Sequence, residues 1–188
     1  MKQLIAILSL TIVTLTCPAQ NMREVLQAMP DTLLPLLTRN NMLDFPDYLE
    51  SSMKAEVNNR LGGTSEMTVL TDDFTEIKLS RSSTVQLKLL PYKNSKLILC
   101  IFSYFLNDST ADSELRFYDM KWNVYPNRQF FRELPSDNHT LVRASASALN
   151  TDLLMTVTHP FNIYPQGEEP ERAPMENTTL QWNGKKYK

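Results

Sequence analysis

The stretch that decides the fold is residues 96–106, which read KLILCIFSYFL. Residues 97–102 are six consecutive apolar side chains, and Tyr104 and Phe105 extend the run. A short continuous apolar run rich in Ile, Phe and Tyr is typical of a strand that is covered on both faces. The run therefore predicts the central strand of a sheet.

The segments around this strand alternate polar and apolar residues, which is the pattern of a half-buried antiparallel strand. Residues 84–89 (TVQLKL) place Val85, Leu87 and Leu89 on one face and leave the other face in water, and Pro91 is predicted to end the strand. Residues 107–113 are predicted to be a polar loop. Further strands are predicted at residues 67–70, 75–79, 115–125 (with a bend at Asp119), 153–158 and 178–182.

Helices are predicted mainly near the start of the chain. Apolar residues at 22, 25, 26 and 29 follow the helical period, and Pro30 ends that helix. Asn40-Asn41 is a predicted break, and a second helix is predicted to begin at Pro46 and to run to about Ser52. The alanine-containing residues 141–149 are compatible with a short helix.

Turn signals separate these elements. Gly62-Gly63 predicts a turn, and Asn183-Gly184 between strand-like flanks predicts a hairpin. The sequence has no fixed-period repeat and no long linker. These features predict one α+β domain over residues 20–188, with short N-terminal helices packed on a mostly antiparallel sheet.

The first 19 residues have the pattern of a secretory signal peptide. Lys2 precedes a 12-residue apolar run at residues 4–15 (LIAILSLTIVTL), and Cys17 and Ala19 place small residues at −3 and −1 of a cleavage site. The run is too short for a stable membrane anchor. Cleavage after Ala19 is predicted, which would leave Gln20 as the new N-terminus and no transmembrane segment.

Lipidation of Cys17 is the alternative to simple cleavage after Ala19. Bacterial lipoproteins carry a lipidated Cys at +1, usually with Leu at −3 and Gly or Ala at −1, whereas Thr14 and Thr16 occupy those positions here. If Cys17 leaves with the leader, Cys100 is the single cysteine of the mature chain. An internal disulfide is then excluded, so the domain must be stabilised by its core.

Composition narrows the classes of partner. The chain is 42% hydrophobic and 21% charged, which is the balance of a globular protein. Removal of the leader leaves 18 basic and 21 acidic residues, a net charge of −3, with no basic stripe. Nucleic-acid binding is therefore not expected.

Candidate catalytic side chains are few and scattered. His139 and His159 are separated by 20 positions, and each is predicted to be a loop residue. Cys100 lies inside the central strand, where burial favours an inert thiol over a reactive thiolate. The four glycines form no phosphate-binding pattern.

Two pairs of carboxylates have both a structural and a functional interpretation. Asp72-Asp73 is predicted to be a solvated turn, with calcium binding as the alternative, although no EF-hand spacing follows. Asp44 and Asp47 lie one helical turn apart, which suits a paired-carboxylate site, but a position at a helix start explains them equally well. No catalytic, cofactor-binding or metal-binding residue is assigned.

The aromatic residues Phe117, Tyr118, Trp122 and Tyr125 present a similar choice. They are predicted to pack alternately in the core and at its rim, and an aromatic ligand platform is the alternative. Trp122 and Trp182 are both predicted to stabilise the fold.

Several segments taken together resemble a known family. They are residues 29–38 (MPDTLLPLLT), 41–44 (NMLD), 53–57 (MKAEV), 61–63 (LGG), 65–68 (SEMT), 80–91, Phe117-Tyr118 with Trp122, and 182–185 (WNGK). The chain resembles, over nearly all of its mature length, exported proteins of Bacteroidales that are catalogued as domain of unknown function 3256. The resemblance implies a Gram-negative cell envelope and supplies no catalytic residues.

These observations predict an exported envelope protein, periplasmic, extracellular or associated with the outer membrane. The predicted role is a non-enzymatic binding or assembly module with an envelope protein or glycan as its partner and no cofactor. The alternatives are a small carboxylate-dependent hydrolase and a structural part of a larger envelope complex.

Overall fold

The computed structural model describes residues 20–107, 110–131, 140–158 and 175–188. The predicted leader, including Cys17, and the predicted loop at residues 165–174 lie outside these ranges. Two helices come first and strands follow. In chain order the elements are α1 (Met22–Ala28), α2 (Arg39–Glu50), β1 (Glu56–Asn58), β2 (Thr64–Leu70), β3 (Phe74–Ser80), β4 (Ser83–Tyr92), β5 (Ser95–Phe105), β6 (Ala111–Tyr118), β7 (Val124–Tyr125), a 3-10 turn (Asn127–Gln129), β8 (Leu141–Ala146), β9 (Leu153–Thr158) and β10 (Met175–Leu180).

The strands form two antiparallel sheets. Strands β1 to β7 pair in chain order as a seven-stranded meander, which we call the large sheet. Strands β8, β9 and β10 form a second sheet in the order β10-β9-β8, which we call the small sheet. Each strand pairs with its sequence neighbour, as expected for strands joined by short connections. The predicted α+β class with mostly antiparallel sheet is confirmed.

The large sheet is the middle of three layers. On one face, α1 and α2 place Met22, Leu26 and Phe45 against apolar residues of β3, β4 and β5. On the other face, residues of the small sheet such as Leu153 and Met155 pack against Leu99 and its neighbours. We call the two cores the helix-side core and the small-sheet core. The three layers explain why residues 97–102 are all buried, as predicted for the central strand.

The prediction that β4 has one face in water is wrong. Residues 85–90 are buried on both faces, including the polar Gln86 and Lys88. The alternating pattern gave the wrong prediction because β4 carries polar side chains on the face that packs against the small sheet. These side chains form hydrogen bonds or ion pairs inside the protein. Gln86 accepts a hydrogen bond from Ala146 N (2.9 Å) and donates one to Glu76 Oε2 (2.7 Å). Pro91 also does not end the strand, since β4 extends to Tyr92.

The second helix begins seven residues earlier than predicted. Thr38 caps α2 through its hydroxyl, which accepts from Asn41 N, and the Asn41 side chain accepts from Thr38 N. Asn41 is therefore part of a capping box and not a break. Pro46 lies inside the helix, where it removes one backbone hydrogen bond. It is tolerated because Phe45 beside it is fully buried in the helix-side core.

The segment compatible with a helix at residues 141–149 contains strand β8 instead. Burial alternates along Leu141–Ala146, which is the period of a strand and not of a helix. The small side chains of Ala144 and Ala146 let this strand approach the large sheet closely. The N–H groups of Val142 and Ala144 donate to Asp112 Oδ1 and Ser113 Oγ. On the edge of β8 that faces away from β9, these N–H groups are thus hydrogen-bonded to side chains of the large sheet.

One boundary of β6 differs from the prediction and the other agrees with it. The predicted polar loop over residues 107–113 is shorter, because β6 already begins at Ala111. The predicted bend at Asp119 is confirmed, and it separates β6 from β7. The Asn183-Gly184 hairpin is confirmed as well, with Gly184 at φ +85° and a bridge between Trp182 and Tyr187.

Candidate functional site

An open cavity of about 340 Å³ lies at the end of the β3–β4 hairpin. We call it the hairpin groove. Its lining comes from the last residues of β3, the turn, the start of β4 and the end of β5. The lining residues are Lys78, Ser80, Arg81, Ser82, Thr84, Phe105, Leu106 and Asn107.

The turn that forms the rim of the groove is held by local hydrogen bonds. The register between β3 and β4 shifts between Lys78 and Ser80. Beyond this shift the hydroxyls of Ser80 and Ser83 lie 2.7 Å apart, and Ser80 Oγ also accepts from Ser82 N at 3.2 Å. Phe105 N donates to Ser82 O at 2.8 Å, which ties the turn to β5. The groove therefore has a preorganised wall rather than a loose loop.

Two cations line the groove, and a third lies over the ring of one of its lining residues. Lys78 and Arg81 line it, and the Arg143 guanidinium lies 5.2 Å from the ring centre of Phe105. None of the three is in an ion pair with any residue that the structure describes. The carboxylate opposite Lys78 in the sheet belongs to Glu66, whose nearest cation is Lys54 at 3.8 Å.

Two hydroxyls add uncharged donors to the groove. The side chains of Ser82 and Thr84 make no hydrogen bond within the described part of the chain, and both lie at the lining surface. The exposed Leu106 and the ring of Phe105 supply apolar surface. The groove thus combines donors that have no partner among the described residues with two apolar side chains, and most of its lining is polar.

A second cavity of about 370 Å³ lies between the helices and the β2–β3 turn. Its cation, Arg23, already contacts Asp47 Oδ1 (3.0 Å) and the Glu50 carboxylate. The pKa of Arg23 is raised mainly by the hydrogen bond to Asp47. Because this cavity's strongest donor is occupied within the protein, it is a weaker candidate than the hairpin groove.

The structure explains the predicted inertness of Cys100. The residue is almost fully buried in the helix-side core. Burial raises the pKa of the Cys100 thiol far above its usual range, although Arg116 partly opposes the shift. A thiol with a raised pKa stays protonated at neutral pH and is a poor nucleophile.

We therefore expect Cys100 to resist thiol reagents in the native protein. Labelling at pH 7.5 should be slow without denaturant and rapid in 6 M guanidinium chloride. The measurement is the rate at which an aromatic disulfide reagent releases its coloured thiolate on reaction with Cys100 in the two solutions. Equal rates would contradict the burial of β5 on both faces.

One member of each carboxylate pair forms an ion pair with a cation. Asp73 forms an ion pair with Lys88 (2.8 Å), so it is not merely a solvated turn residue. Asp47 pairs with Arg23. Since α2 starts at Arg39, Asp44 and Asp47 lie in its middle and near its end, and the predicted position at a helix start is wrong.

The four aromatic residues considered as a ligand platform lie on opposite faces of the large sheet. Phe117 packs in the small-sheet core with Tyr125 against Phe130, whereas Tyr118 lies in the helix-side core beside Trp122 (ring centres 5.3 Å apart). One shared platform is therefore not formed. Trp122 has a φ of +64° and is half-buried, so it contributes less buried surface than Trp182.

The remaining candidates are the two histidines and a cluster of metal ligands. His139 and His159 lie outside the described residues. Within the described ranges, no three His, Cys, Asp or Glu side chains are grouped as metal ligands. No described helix is long and apolar enough to cross a bilayer.

The hairpin groove was not predicted from the sequence, because the residues at its rim have the composition of a turn. The signal present was a pair of cations, Lys78 and Arg81, around the serine-rich residues 80–83. Arg143 is far away in sequence, and its approach to Phe105 depends on how β8 packs on the large sheet.

Comparisons with known proteins agree with the architecture. No curated protein matches the chain. A solved structure described as a domain of an uncharacterized protein from Porphyromonas gingivalis W83 has a TM-score of 0.71 and 19% identity, over 90% of this chain and 97% of that one. At this identity the match shows a shared fold. A family model described as "Protein of unknown function (DUF3256)" matches residues 14–160. The resemblance found in the sequence is thus confirmed, and the chain belongs to the DUF3256 family.

Proposed function

We propose that this protein is an exported binding module of the cell envelope and that the hairpin groove is its ligand site. The observation that carries the proposal is a set of donors around the groove that have no partner among the described residues. Lys78, Arg81 and Ser82 are exposed and Thr84 is partly exposed, and the turn between β3 and β4 is fixed by hydrogen bonds. Binding to such a wall would require little ordering of the protein.

The chemistry of the groove favours binding over hydrolysis. A hydrolytic site needs a nucleophile, a base and a charge stabiliser within hydrogen-bond reach of one another. Charge stabilisers are abundant here, but the eight lining residues include no carboxylate, imidazole or thiol, and the Lys78 amine makes no hydrogen bond to a hydroxyl of the described residues. This composition suits a site that holds a ligand unchanged.

The test is an NMR titration of the mature protein with saccharide fragments of bacterial envelopes. We expect amide shifts that are confined to residues 78–84 and 105–107. A variant that fills the groove, Ser82→Trp, should abolish the shifts, while Lys121→Trp at an exposed site on another turn should not. Shifts that persist unchanged in Ser82→Trp would place the ligand elsewhere and end the proposal for this groove.

Export is supported by the leader-like pattern of residues 1–19. We expect protein from its native host to begin at Gln20, because Ala19 and Cys17 fit the small-residue cleavage pattern. N-terminal sequencing together with intact mass measures this. A diacylglyceryl group on Cys17 would contradict the predicted cleavage and would place the protein on a membrane.

A further inference from the structure

We propose that the hairpin groove selects an anionic saccharide, one whose sugar ring carries a carboxylate or a phosphate group. This inference rests on the proposed function and names the class of ligand. It follows from two properties of the groove, its local charge and its size.

The charge of the groove is opposite to that of the protein. The whole chain has 19 basic and 21 acidic residues. Yet Lys78 and Arg81 line the groove and the Arg143 guanidinium lies over the Phe105 ring, and no described carboxylate lies within ion-pair distance of any of the three. Three cations without an ion-pair partner among the described residues raise the local concentration of an anionic ligand and stabilise it when bound. The planar guanidinium of Arg81 suits a carboxylate or phosphate through two parallel hydrogen bonds.

Other carboxylates near the groove are engaged elsewhere. Asp112 Oδ1 accepts from Val142 N on β8, and Glu76 accepts from Gln86 and from Thr68. Because these carboxylates are held by hydrogen bonds, they do not turn toward the three cations. The contact of Asp112 with β8 and the contacts of Glu76 within the large sheet therefore keep these two carboxylates from neutralising the positive charge of the groove.

The size and floor of the groove favour a saccharide over a protein partner. A cavity of about 340 Å³ is at the small end of small-molecule sites. Stable protein partners instead bury roughly 800 Å² of each surface, most often on broad faces. The Phe105 ring and Leu106 offer apolar contact for the C–H face of a sugar, while Ser82 and Thr84 can hydrogen-bond its hydroxyls.

The experiment uses matched ligands that differ only in charge. Short oligogalacturonates and their methyl esters are titrated into the mature protein, with mannose 6-phosphate against mannose as the phosphate arm and inorganic phosphate alone as a third probe. We expect the charged saccharides to bind at least tenfold more tightly than their neutral forms. The affinity should also fall several-fold between 50 and 500 mM salt, because screening weakens exposed charge pairs.

Substitution of the cations tests whether they cause the tighter binding of charged saccharides. Lys78→Gln and Arg81→Gln should each weaken binding of the charged saccharides about two- to fivefold, which is the range for exposed ion pairs. Arg81→Glu should abolish it, and Lys121→Gln serves as the matched control that leaves it unchanged.

The outcomes separate the two proposals. Equal binding of charged and neutral saccharides at the groove would overturn the anionic preference and leave the binding module in place. Inorganic phosphate that binds as tightly as the sugar phosphate would overturn the saccharide part. If no probe shifts the groove and envelope saccharides also fail to do so, both proposals are wrong.

Discussion

The substitution Asp73→Asn should lower the free energy of unfolding more than almost any other single substitution at the protein surface. Asp73 Oδ2 lies 2.8 Å from Nζ of Lys88, whose side chain is 1% exposed. The Lys88 ammonium has no well-directed hydrogen bond to any other described group. Loss of the Asp73 charge leaves a cation in the small-sheet core without a counter-ion. Removing one partner of a buried ion pair costs about 3–5 kcal/mol. The lower end applies here, because the Asp73 side chain is 45% exposed.

The measurement is the free energy of unfolding from urea denaturation, within a double-mutant cycle. Lys88→Met is the matched variant, since it removes the charge and keeps the volume of the chain. Replacing a buried ion pair by apolar residues is often neutral or stabilising. The variant Asp73→Asn with Lys88→Met should therefore recover most of the loss. A destabilisation below about 0.5 kcal/mol for Asp73→Asn alone would show that Lys88 reaches water.

Trp182→Ala should have the second large effect. Trp182 is 9% exposed, and its Nε1 donates to Pro91 O at 2.8 Å. Its ring packs on Tyr187 (5.1 Å between ring centres) and Phe130 (6.0 Å). Truncation of a buried aromatic residue costs about 3–5 kcal/mol through lost contacts and the cavity left behind. It would also detach the C-terminal hairpin from β4.

Two further variants help to explain the loss of stability expected for Trp182→Ala. Trp182→Phe keeps an aromatic ring but loses the hydrogen bond to Pro91, which should cost about 1–2 kcal/mol. Trp122→Ala should cost less than Trp182→Ala, because Trp122 is only half-buried and its truncation removes less buried surface. Thermal or urea unfolding compares the three. Equal stability of Trp182→Ala and the parent would mean that the hairpin does not dock as described.

The site was less predictable than the fold. Lys78 and Arg81 could be recognised as cations near a turn, but the sequence did not show that they lack counter-ions in the described part of the chain. That property depends on where Glu66, Glu76 and Asp112 find their own partners, and these are contacts between strands. Ion pairs and hydrogen bonds between residues distant in sequence leave no periodic pattern, so local reasoning cannot detect them.

Sequence alone determined the features that depend on local backbone preference and side-chain period. A continuous apolar run, alternation or turn chemistry accounts for the central strand at residues 96–106, for β2, β3 and β4 before it, for the bend at Asp119 and for the Asn-Gly hairpin. Strand β1 was not predicted. The family was also evident from the sequence, as the match over residues 14–160 confirms.

Only the tertiary structure decided which surfaces are buried. Alternation along β4 predicted a wet face, yet Gln86 and Lys88 are enclosed because the small sheet packs over them. Ala146 of the small sheet donates to Gln86, and Asp73 in the β2–β3 turn of the large sheet pairs with Lys88. Residues 141–149 were compatible with a helix, but a strand forms there because the large sheet offers hydrogen-bond partners to its N–H groups. The physical reason is the same in both cases. Burial and hydrogen bonding between layers outweigh local propensity, and no short window of sequence contains both layers.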